Sequence, residues 1–155
     1  MTIQLVSAFF VLFSFSTGLL NSPTPLTVLP AASDDLVTIE INPVGDELKF
    51  EQTEITVTAG QKVQLVFKNT SAAMPHNVVV LNSADAIERV GIAAMSAQDY
   101  IPDDEAILAY TPLAMPGHSV EVTFTAPSTP GDYPYICTVP GHFYMMKGIM
   151  KVTAP

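Results

Sequence analysis

Residues 132–153 read DYPYICTVPGHFYMMKGIMKVT, a strand-like segment followed by a tight loop and a second strand-like segment. The loop places Cys137, His142 and Met146 in the spacing Cys-x4-His-x3-Met near the C-terminus. Cys137 ends the first segment, and Pro140-Gly141 supplies residues that favour a tight turn. We therefore expect a thiolate, an imidazole and a thioether to come together at the end of a β-sheet.

This set of donors is typical of one kind of metal centre. Blue copper sites bind the metal through one Cys and two His in a trigonal plane, with a weak axial Met. The loop supplies three of these donors, so the second imidazole must come from His76 or His118, the other histidines of the chain. Met146 is the fourth residue after His142 and is predicted to be the axial ligand, whereas Met145 is predicted to pack in the core.

Local sequence favours His76 over His118 as the second histidine. His76 opens an apolar segment beside Asn77, whose amide is expected to hydrogen-bond to the Cys137 loop and steady the sulfur. His118 follows a Pro-Gly turn, where a solvated side chain is expected. We therefore predict that His76 is the remaining ligand.

Other uses of Cys137 fit the sequence less well. A single cysteine excludes an intrachain disulfide. Catalytic Cys–His pairs are usually distant in sequence and need an oxyanion site, so we expect no enzyme. An inert buried thiol is common in proteins, but it would not explain the nearby His142 and Met146. Storage or delivery of copper without a redox role is the alternative function.

The composition indicates one globular domain. The chain has 155 residues, of which 48% are hydrophobic and 14% are charged. Its net charge of −9 and its few, scattered basic residues argue against nucleic acid, which rewards clusters of Lys and Arg. An acidic surface would steer a partner that carries a basic patch, and it would equally keep the protein soluble.

The N-terminus is predicted to lie outside the folded domain. Residues 1–21 carry no charged side chain, residues 5–20 are mostly apolar, and the stretch is predicted to be a signal peptide or an N-terminal anchor. Their apolar run is shorter than the roughly 20 residues of a spanning helix, which favours the signal peptide. Residues 22–35 are predicted to be a Pro/Ser/Thr-rich linker, and cleavage near Asn21-Ser22 or near Ala31-Ala32 fits equally well. Both readings place the domain, residues 36–155, outside the cytosol, in the periplasm or a comparable extracytoplasmic space.

The domain reads as short strands separated by turn signals. In residues 62–69, the clearest strand, Val63, Leu65 and Phe67 share one face. Such a pattern predicts an all-β fold, a two-sheet antiparallel sandwich. The predicted strands are residues 36–41, 54–58, 62–69, 76–81, 107–111, 119–125, 132–137 and 148–153.

One short helical insertion interrupts the strands, at residues 83–97. Ser83 is suited to be its N-cap, and Asp85 follows in the first turn, where the helix dipole favours negative charge. Gly91 is expected to weaken the middle of the helix and to break it into two pieces.

The chain resembles the cupredoxins, and within them the azurin and auracyanin type. The sequences CTVPGH and MKG, residues 137–142 and 146–148, are similar to the azurin ligand loop. MPHN, residues 74–77, is similar to the segment that holds the first histidine ligand. DY and PDD, residues 99–100 and 102–104, resemble the stretch after the azurin helical flap.

The resemblance implies a Greek-key β-sandwich with a mononuclear type 1 copper that alternates between Cu(I) and Cu(II). The ligands by resemblance are His76, Cys137, His142 and axial Met146. It also implies a monomeric one-electron carrier with transient redox protein partners such as cytochromes or membrane redox complexes. Azurins usually have Gly before the first histidine, where its carbonyl approaches copper weakly, and here Pro75 takes that place. The Pro75 carbonyl is a candidate fifth contact, with its position altered by the fixed φ of proline.

His142 is the expected exit for the electron, through an apolar surface patch around its ring. The residues expected to form this patch are Val139, Pro140 and Phe143, together with Met74 and Met115. Weak docking through a small interface suits an electron carrier.

Overall fold

Two β-sheets packed face to face form residues 36–155, which are the part of the chain that the computed structural model describes. The predicted leader or anchor at residues 1–21 and the predicted linker at 22–35 lie outside the described residues. The strands are β1 (Val37–Ile41), β2 (Glu54–Thr58), β3 (Lys62–Lys68), β4 (Val79–Leu81), β5 (Ile107–Tyr110), β6 (Ser119–Thr125), β7 (Gly131–Ile136) and β8 (Lys147–Thr153). Among residues 36–155, no helix is both long and apolar enough to cross a bilayer.

The strands pair in the order β1-β3-β6 in one sheet and β2-β8-β7-β4-β5 in the other. The two-sheet sandwich is confirmed, but the prediction that it is purely antiparallel is wrong. β1 pairs with β3 in parallel, and β2 pairs with β8 in parallel. Between β1 and β3 the chain crosses to the other sheet and forms β2. Such a crossover lets β1 and β3 run in the same direction, whereas a hairpin can join only antiparallel strands.

The core between the sheets follows from the alternation of apolar residues. Val63, Leu65 and Phe67 of β3 are buried, as the sequence pattern predicted. They face residues of the second sheet such as Tyr135 and Met150 in one cluster of apolar side chains. All of β4 is buried, because the sandwich core covers one of its faces and a second apolar cluster, beneath a helix, covers the other.

This helix is α1 (Ile87–Ala94), and a 3-10 turn (Ala84–Ala86) precedes it. The hydroxyl of Ser83 accepts the N–H of Asp85, so the predicted N-cap is confirmed. The helix continues through Gly91, contrary to the expected break at that position. A Cβ placed on Gly91 would lie 2.3 Å from the ring of Phe143, so the missing side chain makes room for this ring.

Substitution of Gly91 tests this packing, because the contact with Phe143 decides whether the change raises or lowers the stability of the protein. In an exposed helix, Gly→Ala stabilises by about 1 kcal/mol. We expect Gly91→Ala to destabilise the protein instead, by about 1–3 kcal/mol, because the added methyl overpacks against Phe143. The measurement is the free energy of unfolding in urea. Ala93→Gly, at an exposed position of the same helix, is the control and should cost about 1 kcal/mol. A gain in stability for Gly91→Ala would contradict the proposed contact.

Candidate metal centre

The loop between β7 and β8 is closed at its base by backbone hydrogen bonds. Cys137 directly follows β7, and its N–H donates to the carbonyl of Met146 at 3.0 Å. Gly141 has a φ of 81°, in the left-handed region that favours glycine, and a 3-10 turn (His142–Tyr144) follows it. The N–H of Met146 donates to the carbonyl of His142 at 2.8 Å. These bonds hold the backbones of the three predicted ligands in one rigid turn.

His76 comes from the segment before β4, which begins later than the predicted strand at residues 76–81. Its backbone pairs with Ala114 in an isolated antiparallel bridge, with N–H to carbonyl distances of 3.1 and 2.8 Å. β4 and β7 are neighbours in the second sheet, so the segment that leads into β4 places His76 close to the end of β7.

Three donor atoms meet at this end of the sandwich. The sulfur of Cys137 lies 3.6 Å from Nδ1 of His76 and 3.5 Å from Nδ1 of His142. The two Nδ1 atoms are 3.2 Å apart, and all three side chains are buried. A point equidistant from the three atoms lies about 2 Å from each, close to the bond lengths that a transition metal such as zinc makes with imidazole and thiolate. The donor set therefore fits a single metal ion.

The two adjacent methionines of the loop lie on opposite sides. Met146 is fully buried in the same apolar cluster as Cys137, as an axial ligand requires. Met145 is 70% exposed, so the prediction that it packs in the core is wrong. Met145 directly follows the 3-10 turn and has a φ of −119°. The backbone changes direction there, so the side chains of Met145 and Met146 point to different sides.

The structure separates the two candidate histidines as expected. His118 is exposed, and its Nδ1 contacts the carbonyl oxygen of Pro116 at 3.0 Å. Asn77 is fully buried and reaches across to the residue after Cys137, as predicted. Its Oδ1 accepts the N–H of Thr138 at 2.8 Å, and its Nδ2 donates to the Thr138 hydroxyl at 2.8 Å.

Burial keeps the donor side chains uncharged. It lowers the pKa of His76 to about 4, with a smaller contribution from His142, and it also lowers the pKa of His142. Burial raises the pKa of the Cys137 thiol to about 11, although backbone N–H groups of Asn77 and Val139 partly oppose this. Both imidazoles are therefore ready to bind a metal at neutral pH, whereas the thiol must release its proton on binding.

Comparison with known proteins identifies the family. The family model for copper binding proteins, plastocyanin/azurin family, matches residues 37–153. The chain belongs to this plastocyanin/azurin family. Copper is accordingly the cofactor of this cupredoxin, in agreement with the prediction from the ligand loop.

Individual relatives place the chain near the azurins and auracyanins. Auracyanin-A of Chloroflexus aurantiacus is 48% identical over 121 residues, which cover 75% of this chain and 74% of the relative. An azurin of Achromobacter denitrificans is 35% identical over 142 residues, which cover 85% of this chain and 92% of the relative. The predicted resemblance to the azurin and auracyanin type is confirmed.

Solved structures confirm the predicted cupredoxin-like fold. The structure of auracyanin A from Chloroflexus aurantiacus, described as a "blue" copper protein, has a TM-score of 0.74 at 46% identity. It matches 77% of this chain and 100% of its own. An auracyanin from Roseiflexus castenholzii has a TM-score of 0.71 at 40% identity, over 75% of this chain and 96% of its own.

Several residues around the centre were not predicted from sequence. Thr138 is the partner of Asn77, and nothing in the sequence distinguishes it from an ordinary loop threonine. Phe143 is buried against α1 rather than on the surface, and Tyr144 beside it is 60% exposed. Their ring centroids are 4.1 Å apart. The spacing in the loop predicts its donors, but not which of its aromatic residues turn inward.

Removal of the Asn77 amide tests the bond between the two ligand segments. Asn77→Ala leaves the buried N–H of Thr138 without its acceptor, so we expect a loss of about 1–3 kcal/mol in unfolding free energy. Urea denaturation measures it. Asn82→Ala, at an exposed position beside β4, should change stability by less than about 0.5 kcal/mol. Equal effects for the two variants would contradict the assigned role of Asn77.

Proposed function

We propose that this protein is a type 1 copper protein that carries single electrons between redox partners outside the cytosol. In this proposal His76, Cys137, His142 and axial Met146 hold the metal. The observation that carries it is the convergence of two imidazole nitrogens and one thiol sulfur, 3.2–3.6 Å apart, in a buried site. One cysteine, two histidines and a methionine are the ligand set of blue copper sites.

When bound, copper supplies reversible one-electron chemistry between Cu(I) and Cu(II). The chain contributes donors whose positions are fixed before the metal arrives. His142, Met146 and Cys137 are joined through the backbone bonds of one turn, and His76 is fixed by its pairing with Ala114. Because this framework does not need to rearrange when the charge at the site changes, the barrier to electron transfer is kept low.

His142 is the proposed exit for the electron. His76 and Cys137 are fully buried, whereas His142 retains 7% exposure and is the donor residue nearest to solvent among these three. The surface around it differs from the expected patch, because Val139 and Phe143 are buried. The exposed apolar residues at this end are Pro140, Met115, Tyr144 and Met145. They form the docking surface that we propose for a redox partner.

The burial of the donors also favours a carrier over an enzyme. A substrate would have to reach the buried donor atoms beneath the loop, whereas an electron can pass to a partner through the imidazole ring of His142. The proposed partners are redox proteins that bind transiently, and the net charge of −9 would attract those with a basic surface. We propose a monomer, because a carrier that meets successive partners needs this end of the sandwich free.

The proposed location rests on the N-terminal sequence. Residues 1–21 carry no charged side chain and residues 5–20 are mostly apolar, which favours export through a signal peptide or attachment through an anchor. Residues 22–35 would then be a linker, and residues 36–155 the copper-binding domain in the periplasm or a comparable space.

Substitution of the thiol tests the copper site. Copper-loaded protein should show the intense blue absorption of a thiolate–Cu(II) centre and a reversible one-electron wave in voltammetry. Cys137→Ser should abolish the blue band, because the thiolate is lost. His118→Ala is the matched control and should leave the spectrum intact. A colourless Cu(II) protein would contradict the proposal.

The rate of copper exchange separates a carrier from a storage or delivery protein. A carrier keeps its metal through many redox cycles, so we expect the copper to leave slowly for a competing chelator in both oxidation states. Rapid loss of Cu(I) from a protein that gives no reversible wave would favour storage or delivery instead.

A further inference from the structure

A short hairpin, residues 42–50, lies against the segment that leads into His76. Backbone pairing of Pro43 with Phe50 closes the hairpin. Asp46 is at its tip, and its carboxylate points to the neighbouring segment. This contact lies outside the ligand loop and was not predicted from sequence.

The carboxylate of Asp46 accepts hydrogen bonds from three consecutive residues. Its Oδ1 accepts the hydroxyl of Ser71 at 2.7 Å, the N–H of Ala72 at 2.8 Å and the N–H of Ala73 at 3.2 Å. These bonds, that from Ser71 above all, lower the pKa of Asp46. The group is therefore ionised at neutral pH, and bonds to an ionised acceptor are stronger than those between neutral groups.

Ser71 and Asn69 extend these contacts to the residues beside His76. The hydroxyl of Ser71 accepts the N–H of Met74 at 3.0 Å. The amide of Asn69 donates to the carbonyls of Met74 and Ala114, both at 2.9 Å. Ala114 is the residue that pairs with the backbone of His76, and Asn69 and Ser71 are both buried. The N–H of Ser71 also donates to Oδ1 of Asn69 at 3.1 Å. A connected set of hydrogen bonds thus runs from the hairpin to Met74 and to Ala114, the partner of His76.

We propose that Asp46 is a positioning residue for the metal centre, acting on His76 through Ser71 and Asn69. With the carboxylate in place, the turn at residues 71–74 has one conformation, and the imidazole enters the site from a fixed direction. Without it, the N–H of Ala72 loses its acceptor, the N–H of Ala73 keeps only the Ser71 hydroxyl at 3.2 Å, and the turn opens. The imidazole then occupies more than one position. This inference rests on the proposed copper site.

The first test uses metal-free protein and follows amide hydrogen exchange residue by residue. We compare wild type with Asp46→Ala, with the milder Asp46→Asn, and with Glu47→Gln, which removes the neighbouring charge of the same hairpin. Exchange at Ala73, Met74 and His76 should accelerate several-fold in Asp46→Ala and less in Asp46→Asn, which keeps an acceptor oxygen. Glu47→Gln should leave it unchanged. Among these variants, only Asp46→Ala should broaden or double the ring NMR signals of His76.

The second test measures the release of copper to a chelator. Residues that orient metal ligands typically change metal affinity by about 10–100-fold. We expect Asp46→Ala to speed release by about tenfold, at the low end of that range, because it acts through two further residues. Ser71→Ala should reproduce the effect, and the double variant should add little to it, since both act through one set of bonds.

Two results would overturn the inference. One is unchanged exchange at His76 in both Asp46 variants. The other is an acceleration spread evenly over the domain, including Val152 of β8, because this would show a general loss of stability. A protein that gives no blue copper centre would contradict the proposed function alone, since the exchange experiment on metal-free protein still reports on the position of His76.

Discussion

The structure depends on one constraint: two imidazole nitrogens and a sulfur must stay within 3.6 Å of one another in a buried site. All three atoms are potential metal donors, and burial favours the uncharged form of each group. Nothing in the mutual interaction of three such groups draws them together in the way that apolar packing does. The backbone must therefore hold them there.

The sandwich supplies this support from both directions. The pairing of β7 with β8 places Cys137 and Met146 opposite each other at the base of the loop. The pairing of β4 with β7 brings the His76 segment alongside, and Asn77 joins it to Thr138. Behind the loop, Phe143 packs into the space left by Gly91, so helix α1 contributes to the same rigid unit. The centre is thus attached to the fold at several independent points.

Local sequence predicted most strands and the three side chains, His76, Cys137 and His142, that the structure brings together, because both depend on short-range patterns. The spacing Cys-x4-His-x3-Met lies within one loop, and β2 and β6 begin and end where the sequence pattern indicated. The parallel pairing of β1 with β3 escaped prediction, because strand direction is set by connections between sheets. The orientations of Met145 and Phe143 were also predicted wrongly. In a tight turn, the directions of successive side chains do not follow the regular period of a strand or helix. The contact of Asp46 with Ser71 joins segments far apart in sequence, and no local motif predicts it.

The most direct test of this account is a comparison of crystal structures of the metal-free and the copper-loaded protein. If the chain holds its donors in place before the metal binds, Nδ1 of His76, Nδ1 of His142 and Sγ of Cys137 should keep their positions within about 0.5 Å. A metal-free structure in which either imidazole has swung away from the sulfur by several ångströms would contradict it.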